Sequence, residues 1–307
     1  MSDTIHASRT TTINRTLSAA TEQGRMVALA TAGQRDLRRC AEAYPELFPA
    51  RPFDPALFST LTLATAVFAP EHTAQDLRIA NRVGLWVFAL DWQIDYLAQA
   101  AETVDGIVAA CLSVADGGTP DPGDQLALFL AEVRDDLAGT PFFPTARELW
   151  RTELRRMLTA MAREWHWAAA RARDDHDALP TFEAYLDNAD SVGATFVNVS
   201  HWISTCPTLP VDGLAGLIAA SHAVQRVLRL VNDLATYERE VRWGDLNALL
   251  LMDDRDEVTR RVTVLVDGCR QQLHRLEHDF PQEVAYLSRQ IGFSSGFYQT
   301  GDFWGSL

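Results

Sequence analysis

Apolar residues return every three to four positions along almost the whole chain, and clusters of Pro and Gly fall between those stretches. No run alternates apolar and polar residues between hairpin turns, and no segment repeats, so a sheet has nothing to be built from. The spacing predicts helices over 27–42, 54–68, 76–101, 104–115, 125–138, 145–174, 181–203, 212–242, 256–280 and 282–291. Pro52, Pro55 and Pro70 punctuate the first of these, and Asp116 to Gly123 is the plainest loop. Helices this long on short connections predict an all-α, single-domain helical bundle over 17–307. Residues 1–16, rich in Ser and Thr, are expected to form a flexible arm.

Composition narrows the function. Of 307 residues, 47% are hydrophobic and 22% charged, the balance of a globular protein with a sizeable core. A net charge of −14 argues against a nucleic-acid partner, because a phosphate backbone calls for basic surface. A small diphosphate stays open as a ligand, since Mg²⁺ bridges carboxylates to phosphate oxygens. No apolar stretch reaches the ~20 uncharged residues of a membrane span. The N-terminus lacks the apolar region of a secretory signal. Cys40, Cys111, Cys206 and Cys269 are scattered, which suits reduced thiols and a cytoplasmic location.

Two short windows carry chemistry. The first, Gly84 to Asp95, is almost wholly apolar until Asp91 and then places Asp95 one turn on. Two carboxylates so close at the end of a buried helix repel one another and lose hydration; a divalent cation relieves both penalties. The second window is Asn232-Asp233-Leu234-Ala235-Thr236-Tyr237-Glu238-Arg239-Glu240. Asn232, Thr236 and Glu240 stand at i, i+4 and i+8, along one helix face, and present hard oxygen donors of the kind Mg²⁺ takes. Arg239 offers a fixed cation beside them, and Arg229 and Arg226 lie one and two turns back.

This pair of windows resembles the class I terpene synthases, especially the bacterial ones, in motif order, separation and chain length. Asn232 to Glu240 fits their second motif, Asn-Asp-x-x-Ser/Thr-x-x-x-Glu, at each defined position, with the basic residue before the Glu. The resemblance implies three Mg²⁺ ions held by Asp91, Asp95, Asn232, Thr236 and Glu240, and a diphosphate held by Arg239, Arg229 and Arg226. It implies ionisation of a prenyl diphosphate and cyclisation of the cation in a dry apolar cavity. Candidates for the cavity wall are Phe68, Trp86, Phe88, Trp92, Phe196, Trp202 and Tyr298, and Gly193 is a candidate for a helix break with a carbonyl facing the pocket.

The chain departs from the family in three places. Trp92 replaces the second aspartate of Asp-Asp-x-x-Asp, and Ala189 stands where a diphosphate-sensing arginine is usual. The Arg-Tyr pair that closes many members is absent, and the Gly- and aromatic-rich stretch from about 292 is expected to be a mobile lid. These departures favour geranylgeranyl diphosphate over farnesyl diphosphate, with a preformed bicyclic diterpene diphosphate as a further alternative. A head-to-head prenyl transferase calls for a second Asp-x-x-x-Asp, which is missing, and a chain-elongating one for nearby Lys, which the sequence lacks. A non-catalytic lipid-binding helical protein is the remaining alternative. A homodimer is compatible with the sequence.

Overall fold

The computed structural model describes residues 2–206, 211–252 and 254–305. Among them are twelve α-helices and no strand: α1 Ser2–Ala43, α2 Pro55–Phe68, α3 Arg78–Asp91, α4 Ala101–Ala115, α5 Gln125–Ala138, α6 Phe143–Ala172, α7 Phe182–Asp187, α8 Ala194–Thr205, α9 Val211–Trp243, α10 Ala248–Leu251, α11 Arg255–Leu276 and α12 Pro281–Phe297. Local chemistry explains several starts. Asp54 accepts from the Leu57 amide with Pro55 in the first turn, Asp124 accepts from the Ala127 amide, and Thr181 accepts from the Ala184 amide.

α3 is the central helix of one side. Leu85, Trp86, Ala89 and Leu90 are fully buried, and α1, α2, α5 and α8 pack around it. α9 is its counterpart, covered by α8, α11 and α12. By length and composition α9 is the one described helix apolar enough to cross a membrane, and 56% of that window is buried within the bundle. Trp86 Nε1 donates to the Leu126 carbonyl at 3.0 Å and Trp150 Nε1 to Ser200 Oγ at 3.0 Å. Phe196 sits between these two indoles, with centroids 6.0 and 5.4 Å away. Indoles with their N–H satisfied and rings packed edge-on are stable fully inside.

Four expectations change. The helix expected over 76–101 ends as α-helix at Asp91, and Trp92–Leu97 continues it as a π-helical turn. The Ala98 amide then bonds Gln93 O at 3.0 Å, and Ala98 and Ala100 turn extended. The helix expected over 181–203 splits at a 3₁₀ turn, Ala189–Val192, because Gly193 adopts φ 73° and a left-handed residue cannot propagate an α-helix. The stretch from 292, expected as a lid, is helical to Phe297, where the rings of Phe293 and Phe297 stack at 5.6 Å. Among the described residues, 298–305 lie beyond the helix. The arm expected over 1–16 is helical from Ser2, although residues 12–20 are exposed. Once a packed helix has nucleated, each added residue costs little.

Candidate active site

Between α2, α3, α6, α9 and α12 lies a cavity of about 280 Å³. Its floor is apolar, with Leu61, Phe68, Val87, Val197 and Leu228, and its mouth is acidic, with Asp91, Asp95, Glu164, Glu240 and Asp245. The two windows of the sequence therefore face one space from opposite walls.

On the α9 wall the three expected ligands form one column. Thr236 Oγ1 lies 2.8 Å from the Asn232 carbonyl, 3.5 Å from Asn232 Oδ1 and 2.6 Å from Glu240 Oε1, so its single proton serves one of them at a time. Glu240 Oε2 accepts from Asn247 Nδ2 at 2.8 Å, and the same amide group donates to the Asp233 carbonyl at 2.9 Å. Asp233, inside the motif but on the far side, is fully buried and anchors the next segment. Its Oδ2 accepts from the Tyr185 hydroxyl at 2.8 Å and from the Ala248 amide at 3.1 Å. Burial pushes its pKa up to about 7.

The opposite wall is less settled. The π turn carries Asp95 around to Asp91, and the two carboxyls share a hydrogen bond. Burial, followed by the charge of Glu164, lifts Asp91 to about 6 even though that bond and Arg239 pull it down. Asp95 keeps an exposed edge at the mouth, but the surrounding walls and the charges of Asp91, Asp245 and Glu164 hold it well above the carboxylate range. Burial and the charges of Glu240 and Asp91 lift Asp245 to about 7. Glu164 is raised by burial against the opposing pull of Arg229. No three His, Cys, Asp or Glu side chains among the described residues are already gathered as a metal cluster. The crowded carboxylates and the Asn-Thr-Glu column nonetheless present hard oxygens across one gap, and that donor chemistry fits Mg²⁺.

The cations divide three ways. Arg239 lines the mouth, donating to Asp302 Oδ2 at 2.6 Å and lying 4.4 Å from the Trp243 ring centroid. Arg229 also lines the cavity, bound to Glu164, Ser191 and Tyr185 and lying 3.3 Å from Asp233. Arg226 does neither: it pairs with Asp187 on the surface and is absent from the cavity wall. Two turns back on a helix of 3.6 residues per turn, it has rotated away from the ligand face.

The aromatic candidates are sorted just as sharply. Phe68, Phe88 and Tyr298 line the cavity, and the Tyr298 hydroxyl meets Asn232. Trp86, Phe196 and Trp202 are core residues, each at most 1% exposed and away from the cavity wall. Trp92 stacks on Tyr96 at 4.1 Å, and it is Tyr96 that reaches the cavity. Gly193 is behind the wall, where a Cβ would come within 2.7 Å of Val87 Cγ1, and its carbonyl accepts from Val197 rather than facing the pocket. Sequence reasoning missed Tyr96, Trp243, Glu164, Asp245 and the tail residues Asp302, Phe303 and Trp304. Trp243 falls one turn beyond Arg239 on the same helix, a spacing that would have found it. The others are brought in by tertiary packing alone.

Comparison with known proteins shows the family and the fold. Residues 82–266 match the model of a family described as terpene synthase family 2, C-terminal metal binding. Over 280 residues the chain is 29% identical to ent-pimara-9(11),15-diene synthase of Streptomyces sp. (strain KO-3988), covering 88% of this chain and 91% of that one. A structure of 2-methylisoborneol synthase from Streptomyces coelicolor A3(2), in complex with Mg²⁺ and geranyl-S-thiolodiphosphate, superposes with a TM-score of 0.72. It is 16% identical and covers 91% of this chain and 93% of that one. A structure of a-eudesmol synthase gives a TM-score of 0.71 at 19% identity, covering 89% and 95%. At such identities the structures testify to the fold.

Proposed function

The chain belongs to the terpene synthase family, class I, and from that premise we propose that it is a Mg²⁺-dependent cyclase of a C20 prenyl diphosphate. The observation that carries this reading is the meeting of Asp91 and Asp95 with Asn232 and Glu240 around a single cavity that is acidic at the mouth and apolar below, with Thr236 bonded to Glu240 from behind the wall. Bound Mg²⁺, three ions by the family pattern, supplies Lewis-acid withdrawal of charge from the diphosphate leaving group. Asp91, Asp95, Asn232, Thr236 and Glu240 would hold the ions. Arg239 takes a diphosphate oxygen, exchanging its bond to Asp302 for one to substrate. Arg229 stands deeper as a second cation, already oriented by Glu164 and Ser191.

Below the ions, Phe68, Phe88 and the apolar floor exclude water, which would otherwise quench an allylic cation as an alcohol. The ring of Phe88 supplies cation–π attraction of about 2 kcal/mol when dry. Linear geranylgeranyl diphosphate is the first substrate to test. A preformed bicyclic C20 diphosphate is favoured by one observation. The relative above is named as an ent-pimara-9(11),15-diene synthase, and this chain has no Asp-x-Asp-Asp run with which to start cyclisation by protonation.

The decisive experiment incubates the protein and Mg²⁺ with farnesyl diphosphate, geranylgeranyl diphosphate and a bicyclic C20 diphosphate, and reads the organic extract by gas chromatography with mass detection. A C20 hydrocarbon is expected. A C15 hydrocarbon alone overturns the chain length, and tight binding without product overturns the enzyme.

A further inference from the structure

Behind the cavity, away from the ligand column, lies a partly buried ionic cluster that the chemistry above leaves unused. His222 of α9 places Nδ1 2.9 Å from Asp190 Oδ1 and Nε2 3.0 Å from Glu153 Oε2 of α6. A neutral imidazole has one N–H and would turn a lone pair towards one of those carboxylates; only the imidazolium satisfies both. Arg156 of α6 lies 2.9 Å from Asp190 Oδ2, so two cations balance two carboxylates. The nearest other charge on this stretch of α9, Arg226, is turned to Asp187.

What this cluster grips is the helix break. Asp190 belongs to the 3₁₀ turn between α7 and α8, and the next two residues, Ser191 and Val192, line the cavity. Ser191 Oγ accepts from Arg229 Nη1 at 2.9 Å. Gln225, one turn from His222, donates to Asp190 Oδ1 at 2.9 Å and accepts from the Thr195 amide at 2.9 Å, spanning the break. A five-residue segment with a left-handed glycine and few ladder bonds has little rigidity of its own. Its register comes from these side-chain tethers, and their α9 ends sit on the helix that carries Arg229, Asn232, Thr236 and Glu240.

We propose that His222, as an imidazolium between Glu153 and Asp190, is a positioning residue that clamps the 189–193 break and so keeps Ser191, Val192 and Arg229 in register with the ligand column. The proton on His222 is retained up to about pH 9, because hydrogen bonds and charge from Asp190 and Glu153 outweigh its burial. Above that pH the clamp opens. This inference rests on the terpene cyclase reading, and its first test is independent of turnover.

In that test, amide hydrogen exchange over 188–195 is followed at pH 7.5 in the wild type, His222→Leu and Glu153→Gln. His222→Leu is expected to exchange about tenfold faster there, the effect of losing one local tether. Glu153→Gln is expected to match the wild type, since its amide donates to a neutral Nε2 while Nδ1–H still serves Asp190. The second test measures kcat and KM with geranylgeranyl diphosphate from pH 7 to 9.5. His222→Leu should lose about tenfold in kcat with KM within about twofold, the signature of misplacement rather than lost binding. Wild-type kcat should fall by about half near pH 9, and Glu153→Gln should not show that fall. Should His222→Leu not fold, Glu153→Gln carries the test through its altered alkaline limit. Unchanged exchange in a folded His222→Leu, or the same alkaline limit in Glu153→Gln and wild type, overturns the clamp. Faster exchange with normal kcat overturns the positioning role. A wild type that turns over no prenyl diphosphate refutes the proposed function, and the exchange comparison still decides the clamp.

Discussion

The two walls of the mouth are built on different principles. On α9, Asn232, Thr236 and Glu240 stand on an unbroken helix, bound to one another and braced by Asn247. On α3 the helix gives way to a π turn at the point where Asp91 and Asp95 meet, with Glu164 and Asp245 adding like charge. One wall is preassembled by hydrogen bonds; in the other, burial and the repulsion of neighbouring carboxylates resist ionisation, a resistance that a bound cation would relieve. A site of this kind spends stability in the empty state and regains it on loading.

The largest effects should come from breaking the preassembled wall. Asn232→Ala or Glu240→Ala is expected to lower kcat/KM by about 10³-fold or more with the circular dichroism spectrum unchanged, since the charge stabilisation they support acts in the transition state. Asp91→Asn should approach that loss and Asp95→Asn should fall short of it, because Asp95 keeps an exposed edge. Equal, near-normal turnover in Asn232→Ala and wild type would remove the metal assignment.

Loading and pH sharpen the contrast. Asp91, Asp245 and Asp233 have folded pKa values above their ordinary 3.8, at about 6, 7 and 7. Between those limits these three groups hold more protons folded than unfolded, so their contribution to stability falls as pH rises from 4 to 7, opposed in part by His201, which burial lowers to about 3. In chelator, the melting temperature should drop by several degrees across that range as these groups ionise. With excess Mg²⁺ the drop should flatten, and Asp91→Asn should flatten it without metal. A rise in melting temperature from pH 4 to 7 in chelator would contradict the repulsion.

Smaller effects test the cations. Asp302→Asn frees Arg239 and should tighten inorganic diphosphate binding in Mg²⁺ by about threefold in calorimetry, the scale of one partly exposed ion pair. Weaker binding would show that Asp302 supports the site instead. Arg226→Ala should change kcat/KM by less than about twofold, as expected for a surface pair outside the cavity. A tenfold loss would return Arg226 to the site.

Much of this was legible in one dimension. Periodicity foretold the bundle and most helix ends, and the α9 column needed only the i, i+4, i+8 rule, because helical neighbours are set by backbone geometry. The misses share one cause. Trp86, Phe196 and Phe88 look alike as aromatics on apolar helices, yet only Phe88 reaches the cavity. Which face of a helix turns inward depends on its partners. Arg229 and Arg226 likewise differ by three residues and by everything around them.

The order of donors along α3 and α9, the absence of strands among the described residues and the lack of an Arg-Tyr pair are properties of the sequence, settled by residue identity and the pitch of the helix. Tertiary structure alone decided that Glu164 and Asp245 crowd Asp91 and Asp95, and that Asp302 of the tail occupies Arg239. Those contacts join residues far apart in the chain, and their energies depend on burial and on charges from other elements. No local spacing encodes either.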